Sequence, residues 1–228
     1  NGNTVSIGDP TSMGDGTANN DSVLTASISG VTLLSVHNQS IAELTGIEDF
    51  DSLQILRCRN NSLSTINLSH NTTLRTLAID NNQLISLDLS LNTALTELGC
   101  ANNLLTSLDV SGLTSLFEIY CDNNQLASLD ISGCSALDVL VCQNNALTEI
   151  DLSTITNVGT LEFYNNNISN ILWPDSLNAS ALFLSNNSLV NFVLPSGNYS
   201  IDELKLNNNN LTNIDLRNCS LNTLKCDS

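Results

Sequence analysis

The sequence predicts a mainly β solenoid: a superhelix of about ten rungs of 20–22 residues, with a parallel concave sheet and little helix. Three observations carry this expectation. Apolar residues return at fixed spacing, and rungs align from Val31, Leu53, Leu74, Leu95, Leu116, Leu137, Val158, Ala179, Ile201 and Leu221. Within each rung the residues alternate as in a short strand, and an Asn closes most of the alternations. The chain is 41% hydrophobic but only 4% aromatic, so small aliphatic side chains must build the core. One rung cannot bury its apolar edge alone, whereas a neighbour on each side can.

Residues 1–30 read as an N-terminal arm or cap, being rich in Gly, Asn, Asp and Thr up to about residue 20. The array occupies residues 31–228. Its first rung ends on Gln39 where later rungs have Asn, and residues 44–50 form a transition into the regular repeat. From there the pattern LxxLxCxxNxLxxLDLSxNTx recurs with tolerated swaps; residues 95–105 and 116–126 are consecutive instances. The L-x-C or L-x-L alternation gives a strand with one buried side, and parallel strands of successive rungs stack about 4.8 Å apart. The closing residues Asn61, Asn82, Asn103, Asn124, Asn145, Asn166, Asn187 and Asn209 sit where the chain turns inward. An amide donates and accepts, so a ladder of them can satisfy backbone groups that the tight turn would orphan.

The return half, as in Leu87-Asp88-Leu89-Ser90, alternates again and leaves no room for a full helix. Asp88, Asp109, Asp130 and Asp151 recur there at repeat spacing and are expected to accept backbone hydrogen bonds. Two rungs depart from this, with Leu172-Trp173-Pro174 and Val193-Leu194-Pro195 in place of Leu-Asp-Leu-Ser. Their convex side is expected to be irregular, because proline supplies no ladder donor. The chain opens on Asn1 and stops at Ser228 inside an unfinished rung, which predicts a piece of a longer, C-terminally truncated protein.

These rungs carry the leucine-rich-repeat pattern. Runs such as residues 84–95, preceded by residues 41–50, resemble leucine-rich-repeat proteins of Bacteroidetes and, more distantly, internalins. The resemblance covers roughly residues 21–228. It implies a secreted or bacterial cell-surface protein that serves adhesion or recognition.

Six Lys and Arg against 23 Asp and Glu leave a net charge of −17, which excludes binding to phosphate backbones and disfavours anionic membrane surfaces. No apolar run approaches the ~20 residues of a membrane span. Cys58, Cys100, Cys121, Cys142 and Cys226 share the buried strand position that Ile79, Phe163, Leu184 and Leu206 fill elsewhere, so they read as core side chains. No CxxC pair exists, and Cys134 and Cys219 lie four rungs apart, so neither a metal site nor a disulfide is expected. His37 and His70 belong to no Ser/His/Asp or Cys/His motif, and there is no Gly-rich phosphate loop. The expectation is no enzyme and no cofactor.

A binding surface is expected on the concave sheet, whose outward positions lie two, four and six residues before each ladder Asn. Tyr120, Val141, Tyr164 and Phe183 form an apolar and aromatic track there, flanked by Glu97, Glu118, Asp122 and Glu162. Four of the six basic residues lie near the ends of this face, Arg57 and Arg59 at one and Lys205 and Lys225 at the other. Exposed aromatics ringed by polar groups suit an interaction hot spot. The leading function is a non-catalytic extracellular recognition or adhesion module, a monomer that binds a protein or peptide. A carbohydrate-binding module is the alternative, and a structural spacer of a larger surface protein is a further one.

Overall fold

The computed structural model describes Thr4, Val5 and residues 28–227, so most of the arm expected over residues 1–30 lies outside the described residues. Each regular rung supplies one strand to the concave sheet. Short strands come first: β1 Thr4–Val5, β2 Leu33–Ser35, β3 Ile55–Arg57, β4 Thr76–Ala78, β5 Glu97–Gly99, β6 Glu118–Tyr120 and β7 Val139–Val141. After the return strand β8 Glu149–Asp151 come β9 Asn157–Glu162, β10 Asn170–Leu172, β11 Ser176–Phe183, β12 Asn191–Val193, β13 Asn198–Lys205, β14 Asn213–Asp215 and β15 Cys219–Lys225. Eleven of these form one sheet in the order β1-β2-β3-β4-β5-β6-β7-β9-β11-β13-β15. Pairing is parallel throughout with like positions facing, as in Leu98↔Ile119 and Ile119↔Leu140. Helix is nearly absent, and its one fully described turn is the 3-10 segment Ile47–Asp49.

The core is the stack that the period predicts. Leu56, Leu77, Leu98, Ile119, Leu140, Leu161, Leu182 and Leu204 are fully buried, and so are Cys58, Cys100, Cys121 and Cys142 beside them. All seven cysteines are free thiols. Burial pushes the Cys58 thiol up to about 12. Cys226, in the last strand's continuation, is exposed.

From β3 to β13, the turn after each concave-sheet strand is built from two asparagines with different tasks. The first of each pair (Asn60, Asn81, Asn102, Asn123, Asn144, Asn165, Asn186 and Asn208) has φ between 54 and 57°, the left-handed region that Asn tolerates better than other side chains. The second points inward. Asn103 Nδ2 donates to the carbonyls of Ile79 at 3.1 Å, Cys100 at 3.1 Å and Ala101 at 3.3 Å, while its Oδ1 accepts the Leu84 N–H at 3.0 Å. Asn82, Asn124, Asn145 and Asn187 repeat this set.

A second ladder, not anticipated from the sequence, lies near the end of the return half. Asn71 Nδ2 donates to Ile47 O at 2.9 Å, and Asn92 Nδ2 donates to Asn71 O at 3.0 Å. Two rungs beyond Asn92, Cys134 takes the same place, its thiol 3.5 Å from Val110 O. The Asp column behaves as expected, each carboxylate accepting the N–H two residues on: Ser90, Ser111, Ser132 and Ser153, at 2.8–3.0 Å. This Asx geometry curls the chain before the next strand.

The convex side refines one expectation. Each proline rung pairs with the non-proline rung on its other side, β10 with β8 and β12 with β14, all parallel. Pro174 and Pro195 fall just past β10 and β12, where a missing N–H costs no ladder bond. The irregularity lies between the two pairs, since β10 and β12 belong to separate sheets. There Trp173 packs edge-on against Phe192 and Tyr199, with ring centroids 5.3 and 6.3 Å away.

Candidate functional site

The strand ends of β3 to β6 and the turns after them shape a depression of about 410 Å³ on the concave face. Five of the residues expected to bind line it: Arg59, Glu97, Glu118, Tyr120 and Asp122. Its space comes from small residues at outward positions. Ala101 lines it, and Gly99 contributes no side chain between Glu97 and Ala101. A Cβ added at Gly99 would come within 2.9 Å of Asp80 Oδ2, so the missing side chain also makes room for Asp80.

Asp80 was not singled out in the sequence, because it reads there as one acid among 23. It is buried, accepts from Arg59 Nε at 2.6 Å and takes the Ala101 N–H at 3.2 Å. Arg59 is therefore held inside the protein's own charge network. Tyr120 Oη donates to Glu118 Oε2 at 3.0 Å. Burial, that hydrogen bond and the charges of Glu118, Glu97 and Glu162 push the phenol up to about 12. Burial also raises Asp122, partly offset by its hydrogen bond from the Asn123 amide.

The remaining expected residues lie outside the depression. Arg57 is exposed on β3, while Val141 on β7, Glu162 on β9, Tyr164 just after it and Phe183 on β11 extend along the face and are half-buried. The expected open aromatic track is thus partly closed. The Lys205 ammonium sits 3.6 Å over the Phe183 ring, while also pairing with Glu203 at 3.3 Å. Lys225 reaches the same Glu203 at 3.8 Å. Burial raises Glu162, opposed by Lys205 and reinforced by Asp122.

The large apolar side chains that are exposed lie elsewhere. Ile85 is 63% exposed, and Leu91, Phe117 and Val190 follow at 54%, 47% and 46%. A second cavity, of about 260 Å³, lies on the convex side between β10 and β12 and is lined by Ile171, Trp173, Val190 and Phe192 among others. Nothing in the periodicity marks it, because it results from a missing pairing between two adjacent rungs. Among the described residues no group of three or more His, Cys, Asp or Glu is placed to hold a metal ion. No helix among them is long and apolar enough to cross a membrane.

Asp122 provides a pH test. Its folded pKa lies above the ordinary carboxylate value, so the folded state binds that proton more tightly than the unfolded chain does. The group therefore removes stability as pH rises through the carboxylate range. Asp122→Asn is expected to raise the urea midpoint modestly at neutral pH. That gain should vanish as pH falls through the carboxylate range, which parallel urea titrations would show.

The repeat and its parallel concave sheet define a leucine-rich-repeat solenoid. No family model matches the chain. It is 40% identical over 52 residues to Internalin J of Listeria monocytogenes serotype 4b (strain F2365), spanning 23% of this chain and 6% of that protein. The functional domain of InlJ from Listeria monocytogenes, whose structure includes a cysteine ladder, superposes with a TM-score of 0.60 at 27% identity. That match covers 90% of this chain and 55% of the Listeria domain. A leucine-rich-repeat protein of Leptospira interrogans gives a TM-score of 0.69 at 20% identity, over 86% of this chain and 62% of that one, a likeness of fold.

Proposed function

We propose that this chain is a non-catalytic recognition module, secreted or displayed on a bacterial cell surface, that binds a protein or peptide as a monomer through its concave sheet. The observation that carries the reading is the convergence of Arg59, Glu97, Glu118, Tyr120 and Asp122 around one depression. A flat solvating face would leave these side chains scattered. Adhesion follows when the bound protein sits on another cell. The internalin-like repeats support the location and the class of partner. A sugar platform needs open ring faces, and the ammonium over Phe183 removes one of them.

The test is selection of peptides from a displayed library on the immobilised protein, followed by affinity measurement with a variant carrying Tyr120→Ala, Tyr164→Ala and Phe183→Ala. These side chains are half-buried at outward positions, so the variant should keep its far-UV circular dichroism. Affinity for the selected peptides is expected to fall by about tenfold or more, the scale of losing one or more hot-spot side chains. Unchanged affinity in a folded variant would overturn the concave-face reading.

A further inference from the structure

We propose that the concave depression seats one side-chain ammonium or guanidinium group from a basic segment of the partner. The proposal rests on the concave-face reading and supplies its chemistry. Three carboxylates of the lining, Glu97, Glu118 and Asp122, meet no cationic side chain within ion-pair distance among the described residues. The one cation of the lining, Arg59, is already held by Asp80 at 2.6 Å. The depression thus presents uncompensated negative charge around an open volume of about 410 Å³.

A second observation is independent of that charge. Gln143 follows Asp122 in the same outward column, one strand along, and is only 8% exposed. Its Oε1 is buried with no hydrogen-bond partner. A buried acceptor without a donor is costly, and its presence beside Asp122 marks a place where a donor is missing. Ammonium and guanidinium groups carry three and five N–H donors and no acceptor, which matches a lining of carboxylates, with the orphaned carboxamide oxygen on the next strand, outside the lining. A metal ion fits poorly, because no three suitable ligands converge among the described residues.

Further along, the same face already holds an ammonium over an aromatic ring. Phe183 at a middle outward position is covered by the Lys205 ammonium at 3.6 Å, with Glu203 at 3.3 Å from that ammonium. Tyr120 occupies the same column as Phe183, and Glu118 stands two residues before it. Its strand neighbours in that column are Gly99 and Val141, neither of which carries charge. The aromatic ring and the carboxylate are present, and the cation is left for the partner to bring. An ammonium or guanidinium over an aromatic face gains further attraction once water is displaced.

The probe is penta-arginine amide, titrated calorimetrically at low and physiological salt. The expected result is saturable one-to-one binding that weakens about tenfold or more in a Glu118→Gln, Asp122→Asn variant. Ala101→Leu retains every charge and fills the depression, and it should weaken binding comparably. A convex control, Asp109→Asn with Asp130→Asn, removes as much charge elsewhere and should leave affinity within about twofold. Absent saturable binding, equal affinity in folded Ala101→Leu, or an equal loss in the convex control would each overturn the proposal. In those cases continued loss of library peptides by the tyrosine and phenylalanine variant would leave the concave-face reading standing.

Discussion

Asn103→Ala is expected to destabilise the protein by about 3 kcal/mol, read as a lower midpoint in urea unfolding. The side chain is 6% exposed and fixes four backbone groups at once. Its Oδ1 is the partner of the Leu84 N–H, which lies in the buried turn of the preceding rung. Alanine leaves that donor dry and unpaired, and a group in that condition costs about 1–3 kcal/mol. The carbonyls lose less. Ile79 O keeps the bond from Asn82 Nδ2 at 2.9 Å, and Cys100 O keeps that from Asn124 Nδ2 at 3.1 Å. Asn103→Asp should fail similarly, since a buried carboxylate retains the acceptor but loses the donor and gains a desolvation penalty. In a solenoid each rung contacts its neighbours, so the loss at one rung weakens two interfaces. A variant within about 0.5 kcal/mol of the parent would show that water replaces the ladder amide at little expense.

Gly133→Ala is the second large effect, and the adjacent rung provides its control. A Cβ at Gly133 would lie 1.7 Å from the carbonyl oxygen of Ser111 and 2.6 Å from its carbonyl carbon. Both atoms are backbone, so the clash cannot be relieved by rotating a side chain. The equivalent residue one rung earlier, Gly112, has nothing within 4 Å of its would-be Cβ. Gly133→Ala is expected to cost about 3 kcal/mol through forced backbone displacement, whereas Gly112→Ala should be near neutral. The Gly112 substitution also restricts the unfolded chain, which opposes any small loss. Thermal or urea unfolding of the two variants in parallel checks this. Equal behaviour would mean that the rungs at 112 and 133 can slide past one another.

The fold was legible because its determinants repeat. A period of 20–22 residues fixes the register of every strand, and the Asn at each turn marks where the chain folds inward. The left-handed Asn before it was less visible, because Asn-Asn reads as one polar turn until φ separates the two roles. Asn71 and Asn92 were hidden in the same way within the Ser-x-Asn-Thr return. The prolines mark where the convex pairing is interrupted, between their two rungs, although neither removes a ladder donor because both lie just past a strand.

The candidate site was legible only in its charged and aromatic members. A sequence column records which side chains are present, while a depression depends on those that are small. Gly99 and Ala101 therefore carried no signal, although they create the space that Glu97, Glu118 and Asp122 surround. Phe183 and Lys205 show the converse limit. Each was placed correctly on the concave face, yet their mutual contact, which removes both from an open surface, depends on neighbouring rungs meeting side by side.

The most direct test of the central claim is site-specific photo-crosslinking. A photoreactive phenylalanine is placed at Val141 on the concave face and, in a second protein, at Phe117 on the exposed edge. Each is then irradiated with a peptide selected on the unmodified protein. Covalent capture from position 141, with little from position 117, is the predicted result. Capture from 117 with none from 141 would contradict recognition through the concave sheet.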